Sequence, residues 1–298
     1  MNSIAITTEC TADLPGKLLE QYKIDIIYMD IETDSGIFRD TTEIDSGNIT
    51  EYMAGGKRKA QSIVPSATDY GSFFRSHLED YDEIIHICIG SSVSAAMGNA
   101  RVGREKLGNE SLKVHLIDSG HLSTGVGLLV LEAARLRDEG LGSKDIVKKV
   151  TAGIPYICTS FLAYNADYLY YNNKVSEKVM KICRLFRLHP VLAVKEGRLV
   201  LKRLYFGNYE KAAEKYIAST LKDNKRIHKG RAFITYVGCG HELLESVNEK
   251  ISRYVKFDEV WEKAASATIA ANCGPLTFGI LFQKNGGTAA VDRKNDML

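Results

Sequence analysis

The sequence lacks the features that mark several common protein classes. Its 298 residues include six cysteines, none in a C-x-x-C pair, and their spacing matches no common zinc site. No apolar run is long enough to span a bilayer, and the amino terminus lacks the basic and apolar regions of a signal peptide. We therefore predict no metal, no other cofactor and no stable membrane insertion, and we expect a reducing, cytoplasmic location.

The sequence also lacks a large excess of charge of either sign. Its 39 Lys and Arg residues and 37 Asp and Glu residues give a formal net charge of +2. Such a balance gives no electrostatic argument for a nucleic-acid partner or a membrane surface. The hydrophobic content of 45% and the charged content of 26% are ordinary for a globular protein, and the length suits about two domains.

A strand, a hydroxyl-rich loop and a helix follow one another in residues 83–100. Residues 83–89, E-I-I-H-I-C-I, predict a strand buried on both faces, and residues 90–94, G-S-S-V-S, predict a short polar loop. In α/β proteins such loops lie at the ligand-binding edge of the sheet, and the free N–H groups of the next helix favour an anion. Capping of that helix by Ser94 is the simpler alternative, because serine is a favoured N-cap residue.

The pattern of predicted strands and helices changes near residue 160. Before it, strands at residues 4–8, 24–32, 83–89 and 113–119 alternate with helices, which predicts a mostly parallel sheet flanked by helices. Residues 61–66 are predicted as a loop before the next helix. Beyond residue 160, hairpins and crossovers are mixed, as in the hairpin at residues 190–202. We predict an N-terminal α/β domain over residues 1–160 and a C-terminal α+β domain with a mixed sheet over residues 161–298.

Two other functions of the serine-rich loop stay open at this point. A serine-dependent acyl enzyme would use Ser91 or Ser94 as its nucleophile, with a base and an orienting group nearby. The second glycine of the G-x-S-x-G elbow is absent, however. A phosphate or nucleotide site would use the helix N-terminus at the same sheet edge, without a glycine-rich, lysine-bearing loop.

The order and spacing of several motifs resemble the DegV family of bacterial fatty-acid-binding proteins. Residues 6–15, I-T-T-E-C-T-A-D-L-P, are similar to the family's I-x-T-D-S-x-x-D-L-P. Residues 61–66, Q-S-I-V-P-S, and 89–96, I-G-S-S-V-S-A-A, stand where the family has T-S-Q-P-S and I-S-S-x-L-S-G-T. The match continues with I-D-S at 117–119, H-P-V-L at 189–192 and N-C-G-P at 272–275. It covers nearly the whole chain.

The resemblance implies two domains with a long-chain fatty acid buried between them. It implies that hydroxyls of the two hydroxyl-rich loops hold the carboxylate, so Ser62 and Ser94 are the candidate carboxylate ligands. The full set of ligand-binding residues that we predict is Ser62, Ser94, Ser91, Ser92, Lys174 and Asn272. Several relatives present the bound acid to a separate fatty acid kinase and have no chemistry of their own. The resemblance therefore predicts a lipid-binding protein that is not an enzyme, with a fatty acid kinase subunit as its further partner.

Several positions depart from the family pattern. Gly90 replaces a serine, Ala95 and Ala96 replace Gly-Thr, and Asn272 replaces a histidine. Ser62 replaces a threonine and keeps the hydroxyl. Residues 172–175, N-N-K-V, occupy the place where the family has G-G-R-I. Lys174 therefore keeps the positive charge of the arginine but not its planar guanidinium group. A further alternative is therefore a regulatory relative that keeps the fold and has lost the lipid.

Overall fold

The structure, a computed structural model, describes residues 3–54, 60–172 and 175–286 of the chain. The strands of its first half are β1 (Ile4–Glu9), β2 (Ile24–Ile27), β3 (Asp30–Thr33), β4 (Gly36–Arg39), β5 (Gln61–Ile63), β6 (Glu83–Cys88) and β7 (Val114–Asp118). The helices of this half are α1 (Gly16–Gln21), α2 (Ser46–Tyr52), α3 (Ala67–Asp80), α4 (Ala96–Glu105), α5 (Thr124–Asp138) and α6 (Ser143–Gly153).

The first half is built on a parallel sheet in the order β2-β1-β6-β7. Every residue of β1 is buried, as are the last five of β6, because helices cover both faces. Val126 and Val130 of α5 pack on one face with Ile6 and Ile85. The other face carries a cluster that includes Tyr70 and Phe74 of α3. The predicted parallel sheet flanked by helices is confirmed.

A second sheet in this half is antiparallel and has the order β4-β3-β5. Residues 24–32 form two strands rather than the single one predicted, because the chain changes sheets at Met29. The Met29 N–H donates to Cys10 Sγ over 3.3 Å, and its carbonyl accepts from the Asp40 N–H over 2.9 Å. The predicted loop at residues 61–66 is also wrong at its start, since Ser62 pairs with Ile31 in the β3–β5 ladder.

The second half is built on a mixed sheet, as predicted. Its strands are β8 (Ile157–Cys158), β9 (Ser160–Leu162), β10 (Leu188–Lys195), β11 (Arg198–Phe206), β12 (Ile227–Val237), β13 (Glu259–Ala264) and β14 (Thr277–Lys284). They follow the order β11-β10-β9-β14-β12-β13, with β8 beside β14, and only the β12–β13 pair of these is parallel. The helices are α7 (Asp167–Tyr171), α8 (Glu177–Leu185), α9 (Tyr209–Leu221), α10 (His241–Ser252) and α11 (Ala267–Cys273).

The two halves share one hydrophobic core. Phe233 of β12 and Leu281 of β14 belong to the same buried cluster as Val126 and Val130 of α5. The last strand of the parallel sheet ends at Asp118 and the first of the mixed sheet begins at Ile157. The domain limits at residues 160 and 161 stay a prediction.

Candidate functional site

A cavity of about 240 Å³ lies between the carboxyl edge of the parallel sheet, the small antiparallel sheet and α11. Most of its wall is apolar, and four polar side chains share it. The lining residues are Met29, Ser62, Val64, Ile89, Val93, Ser94, Ala95, Leu122, Phe161, Leu169, Leu199, Thr268, Ile269, Asn272 and Cys273. A smaller void of about 30 Å³, with an almost wholly apolar surface, shares Leu122, Phe161, Ile269 and Cys273 with it. The apolar surface therefore extends inward from the cavity.

Three of the six site residues predicted from the sequence line this cavity. Ser62 is brought there by β5, Ser94 by the loop before α4, and Asn272 by the last turn of α11. All three side chains are half-buried. The Ser94 Oγ also accepts from the Ala96 N–H over 3.2 Å, so this hydroxyl bonds the start of α4 and lies at the cavity, although the N-cap position of the helix is Ala95.

The other three predicted residues are not brought to the cavity wall in the part of the chain that is described. Ser91 and Ser92 are exposed. The Ser91 backbone N–H donates to Asp118 Oδ1 over 3.1 Å, and the Ser92 hydroxyl donates to the Gly197 carbonyl in the β10–β11 hairpin. These serines thus tie the loop to its neighbours. Lys174 lies outside the described residues.

The departure from the family pattern at Gly90 has a steric reason. A Cβ atom at Gly90 would lie 2.8 Å from the carbonyl carbon of Gly120, closer than such atoms approach in proteins. Gly120 itself has a φ of +61°, and a Cβ there would lie 3.2 Å from the Gly197 Cα. The loops after β6 and β7 and the hairpin tip therefore meet backbone to backbone, with no room for a serine side chain at position 90.

Two buried carboxylates from the first half hold the start of α11. Asp13 Oδ1 accepts from the Ser266 N–H over 2.8 Å, and the Ser123 hydroxyl donates to Asp13 Oδ2 over 2.5 Å. Asp40 accepts from the N–H groups of Ala267 and Thr268 over 2.8 and 2.9 Å. Burial raises the pKa of Asp13 to about 6, and it also raises the pKa of Asp40. These bonds fix the helix that forms one wall of the cavity.

Thr268 is a cavity residue that the sequence analysis did not identify. Its side chain is only 7% exposed, and among the described residues its hydroxyl makes no hydrogen bond of ordinary geometry, although it lies close enough to the Asp40 carboxylate to oppose the rise in the pKa of that group. Asn272 follows one helical turn later, and its Nδ2 donates to the Thr268 carbonyl over 2.8 Å. The helical spacing of Thr268 and Asn272 was the available signal, because residues i and i+4 lie on one face of a helix.

A second polar cluster, formed by Glu9, His86 and Cys88, is fully buried beneath the sheet edge. One ligand-type atom from each residue lies within 4.8 Å of the others, a spacing that suits a metal ion. The Glu9 carboxylate nevertheless accepts from the Tyr70 hydroxyl over 2.9 Å and from the Ile89 N–H over 2.9 Å. It also lies 3.3 Å from His86 Nε2. These partners satisfy the cluster without an ion, and it serves the fold.

The comparisons with known proteins agree with this architecture. The family model described as "Uncharacterised protein, DegV family" matches residues 3–285. A DegV domain-containing protein of Caldanaerobacter subterraneus is 26% identical over 288 residues, which cover 95% of this chain and 100% of the relative. None of the described helices is long and apolar enough to cross a membrane.

Solved structures of similar fold are described as fatty-acid-binding proteins. A DegV family protein from Thermus thermophilus, described by its fatty acid binding, has a TM-score of 0.83 at 23% identity, over 95% of this chain and 99% of that one. DegV from Bacillus subtilis, described as a fatty acid binding protein, has a TM-score of 0.79 at 18% identity, over 96% and 100%. At these identities the likeness establishes the shared fold. Because the family model spans nearly the whole sequence, this chain belongs to the DegV family.

Proposed function

We propose that this protein binds a long-chain fatty acid in the cavity between its two halves. The carboxylate lies at Ser62 and Ser94, and the tail follows the apolar wall toward Phe161 and the smaller void. The observation that carries this proposal is the convergence of Ser62, Ser94 and Asn272 on one mainly apolar cavity. Structural relatives support it, among them a protein from Eubacterium ventriosum described as binding stearic acid.

The energetics suit an amphiphile with one polar end. Each buried CH₂ of the tail contributes about 0.8 kcal/mol, so the tail supplies most of the affinity before the entropic cost of binding. Hydroxyl groups orient a carboxylate by charge-assisted hydrogen bonds. In this proposal Ser91 and Ser92 hold the loop rather than the ligand.

We propose further that the protein has no chemistry of its own and presents the bound acid to a separate fatty acid kinase. Ser91, Ser92 and Ala95 flank Ser94 in the sequence and are exposed, and Ala95 also lines the cavity, so this loop is where a partner would reach the carboxylate. An acyl enzyme would need a base at Ser94. The hydrogen bond assigned to that hydroxyl in the described chain comes instead from the Ala96 N–H. The proposed domains, residues 1–160 and 161–298, contribute opposite walls.

Mass spectrometry of an organic extract from the purified, unsupplemented protein tests the binding function. We expect a fatty acid at close to one equivalent per chain. An empty protein that also takes up no added fatty acid would contradict the proposal and favour the relative that has lost its lipid. Thermal stabilisation by a nucleotide, but not by a fatty acid, would instead support the phosphate or nucleotide site.

A further inference from the structure

The Thr268 hydroxyl is unusual because it is buried and unpaired beside a cavity. Buried polar atoms in folded proteins nearly always have a hydrogen-bond partner, and an unpaired one destabilises the fold. Among the described residues only Thr268 and Thr11 carry a buried side-chain oxygen without one. Thr268 lines the cavity, whereas Thr11 is not among its lining residues. The two threonines therefore differ in whether a ligand can reach them.

The position of Thr268 places it with the other polar groups of the cavity. It lies in the first turn of α11, and this helix packs against β5, the strand that carries Ser62. Asn272 lies on the same helix face one turn later. Ile269 and Cys273 line both the cavity and the small apolar void. The helix thus provides polar groups to the cavity and apolar groups to the void.

Asp40 is the protein group that competes for this hydroxyl. Its carboxylate lies close enough to the Thr268 hydroxyl for a side-chain hydrogen bond to lower the pKa of Asp40, and it already accepts from the backbone N–H groups of Ala267 and Thr268. These two bonds fix the backbone of the first turn of α11 and leave the hydroxyl without a bond of ordinary geometry. An acceptor inside the cavity would supply the missing partner.

We infer that Thr268 is a head-group ligand, whose hydroxyl donates a hydrogen bond to the carboxylate of the bound acid. This inference rests on the proposed fatty-acid binding and adds a third hydroxyl, from a third element, to those of Ser62 and Ser94. It also defines the ligand class, since three donors around one polar end select an ionised acid over a neutral ester of the same chain. The hydroxyl is then available to the ligand, and its lack of a partner lowers the stability of the ligand-free protein.

The test compares three variants with the unaltered protein, using oleate and methyl oleate as probes in a binding titration. Thr268→Val removes the hydroxyl at nearly constant shape, Thr268→Ser retains it, and Thr11→Val removes the other unpaired hydroxyl. We expect Thr268→Val to weaken oleate binding about tenfold or more, the usual effect of losing a hydrogen bond to a charged group. Thr268→Ser and Thr11→Val should bind oleate within about threefold of the unaltered protein. The Thr268→Val defect should shrink for methyl oleate, whose neutral head is a weaker acceptor.

Thermal unfolding of the ligand-free variants completes the test. We expect Thr268→Val to unfold at the same temperature as the unaltered protein or higher, because it removes an unpaired buried oxygen. A lower unfolding temperature would mean that the hydroxyl is bonded to Asp40, and unchanged oleate affinity would mean that it does not contact the ligand. Either result overturns the inference while fatty-acid binding stands. Failure of the unaltered protein to bind oleate would overturn both.

Discussion

Asp13 accepts a hydrogen bond of 2.8 Å from the backbone N–H of Ser266, which lies 253 residues further along the chain. This bond joins the loop after the first strand to the start of α11. The Asp13 side chain is almost fully buried, at 2% exposure. One wall of the proposed ligand cavity is therefore held by a titratable group, and its protonation has consequences for stability.

Asp13 makes the protein less stable as the pH rises from about 4 to 6. Burial raises its pKa from 3.8 to about 6, so in this interval the unfolded chain has released a proton that the folded protein retains. The unfolding free energy falls by about 3 kcal/mol, at about 1.4 kcal/mol per pKa unit. Asp13→Asn removes this dependence. We expect the stability of the variant relative to the unaltered protein to increase by that amount between pH 4 and pH 7 in urea titrations, and a constant difference would contradict the prediction.

His121 has the opposite effect. It is buried, with Nε2 donating to the Ile154 carbonyl over 3.1 Å and Nδ1 lying 2.9 Å from the Thr159 Oγ1. Burial lowers its pKa from 6.5 to about 4. On acidification the unfolded chain therefore binds a proton before the folded protein does. The unfolding free energy falls by about 3 kcal/mol as the pH drops from 6.5 toward 4.

The two groups oppose one another between pH 4 and 6, so the unaltered protein should show a shallow pH profile there. His121→Gln keeps the donor and acceptor types and removes the charge. We expect the stability of this variant to fall as the pH rises from 4 to 6, because His121 no longer opposes the contribution of Asp13. A profile for His121→Gln parallel to that of the unaltered protein would show that His121 does not titrate as proposed.

Gly90→Ser tests the backbone contact between the loops. The added Cβ would lie 2.8 Å from the Gly120 carbonyl carbon, and neither backbone can move without parting the loops. We expect a loss of about 1–3 kcal/mol in the unfolding free energy, as for other overpacked sites. Gly98→Ser is the matched control, because a Cβ there has no neighbour within 4 Å and the position is helical. Equal stability of the two variants would contradict the steric explanation.

Ser62 and Ser94 are tested by replacing both with alanine. If each donates to the carboxylate, each loss should weaken oleate binding by about tenfold, with the tail contacts unchanged. Ser91→Ala lies in the same loop as Ser94 but outside the cavity wall, and it should bind normally. The measurement is an oleate-binding titration of the unaltered protein, the Ser62 and Ser94 double variant and the Ser91→Ala variant. Normal affinity in the Ser62 and Ser94 double variant would place the head group elsewhere.

The sequence was sufficient to predict both main sheets and three residues at the cavity. Long β-branched runs such as β6 leave little choice of structure, and a loop after a parallel strand has a defined edge. The three-residue strand at Ser62 was missed because its sequence lacks the alternation of a longer strand. The roles of Asp13, Asp40 and Thr268 depend on burial and on partners far away in the chain, which no local pattern encodes.

The hold of Asp13 and Asp40 on α11 also determines how the cavity can open. By sequence α11 belongs to the second half of the chain, but its first turn is bonded to two buried carboxylates of the first. A motion that separates the halves and keeps these bonds must carry α11 with the first half. The wall of the cavity that α11 forms is therefore anchored to the first half of the chain, although the helix follows the strands of the second half in sequence.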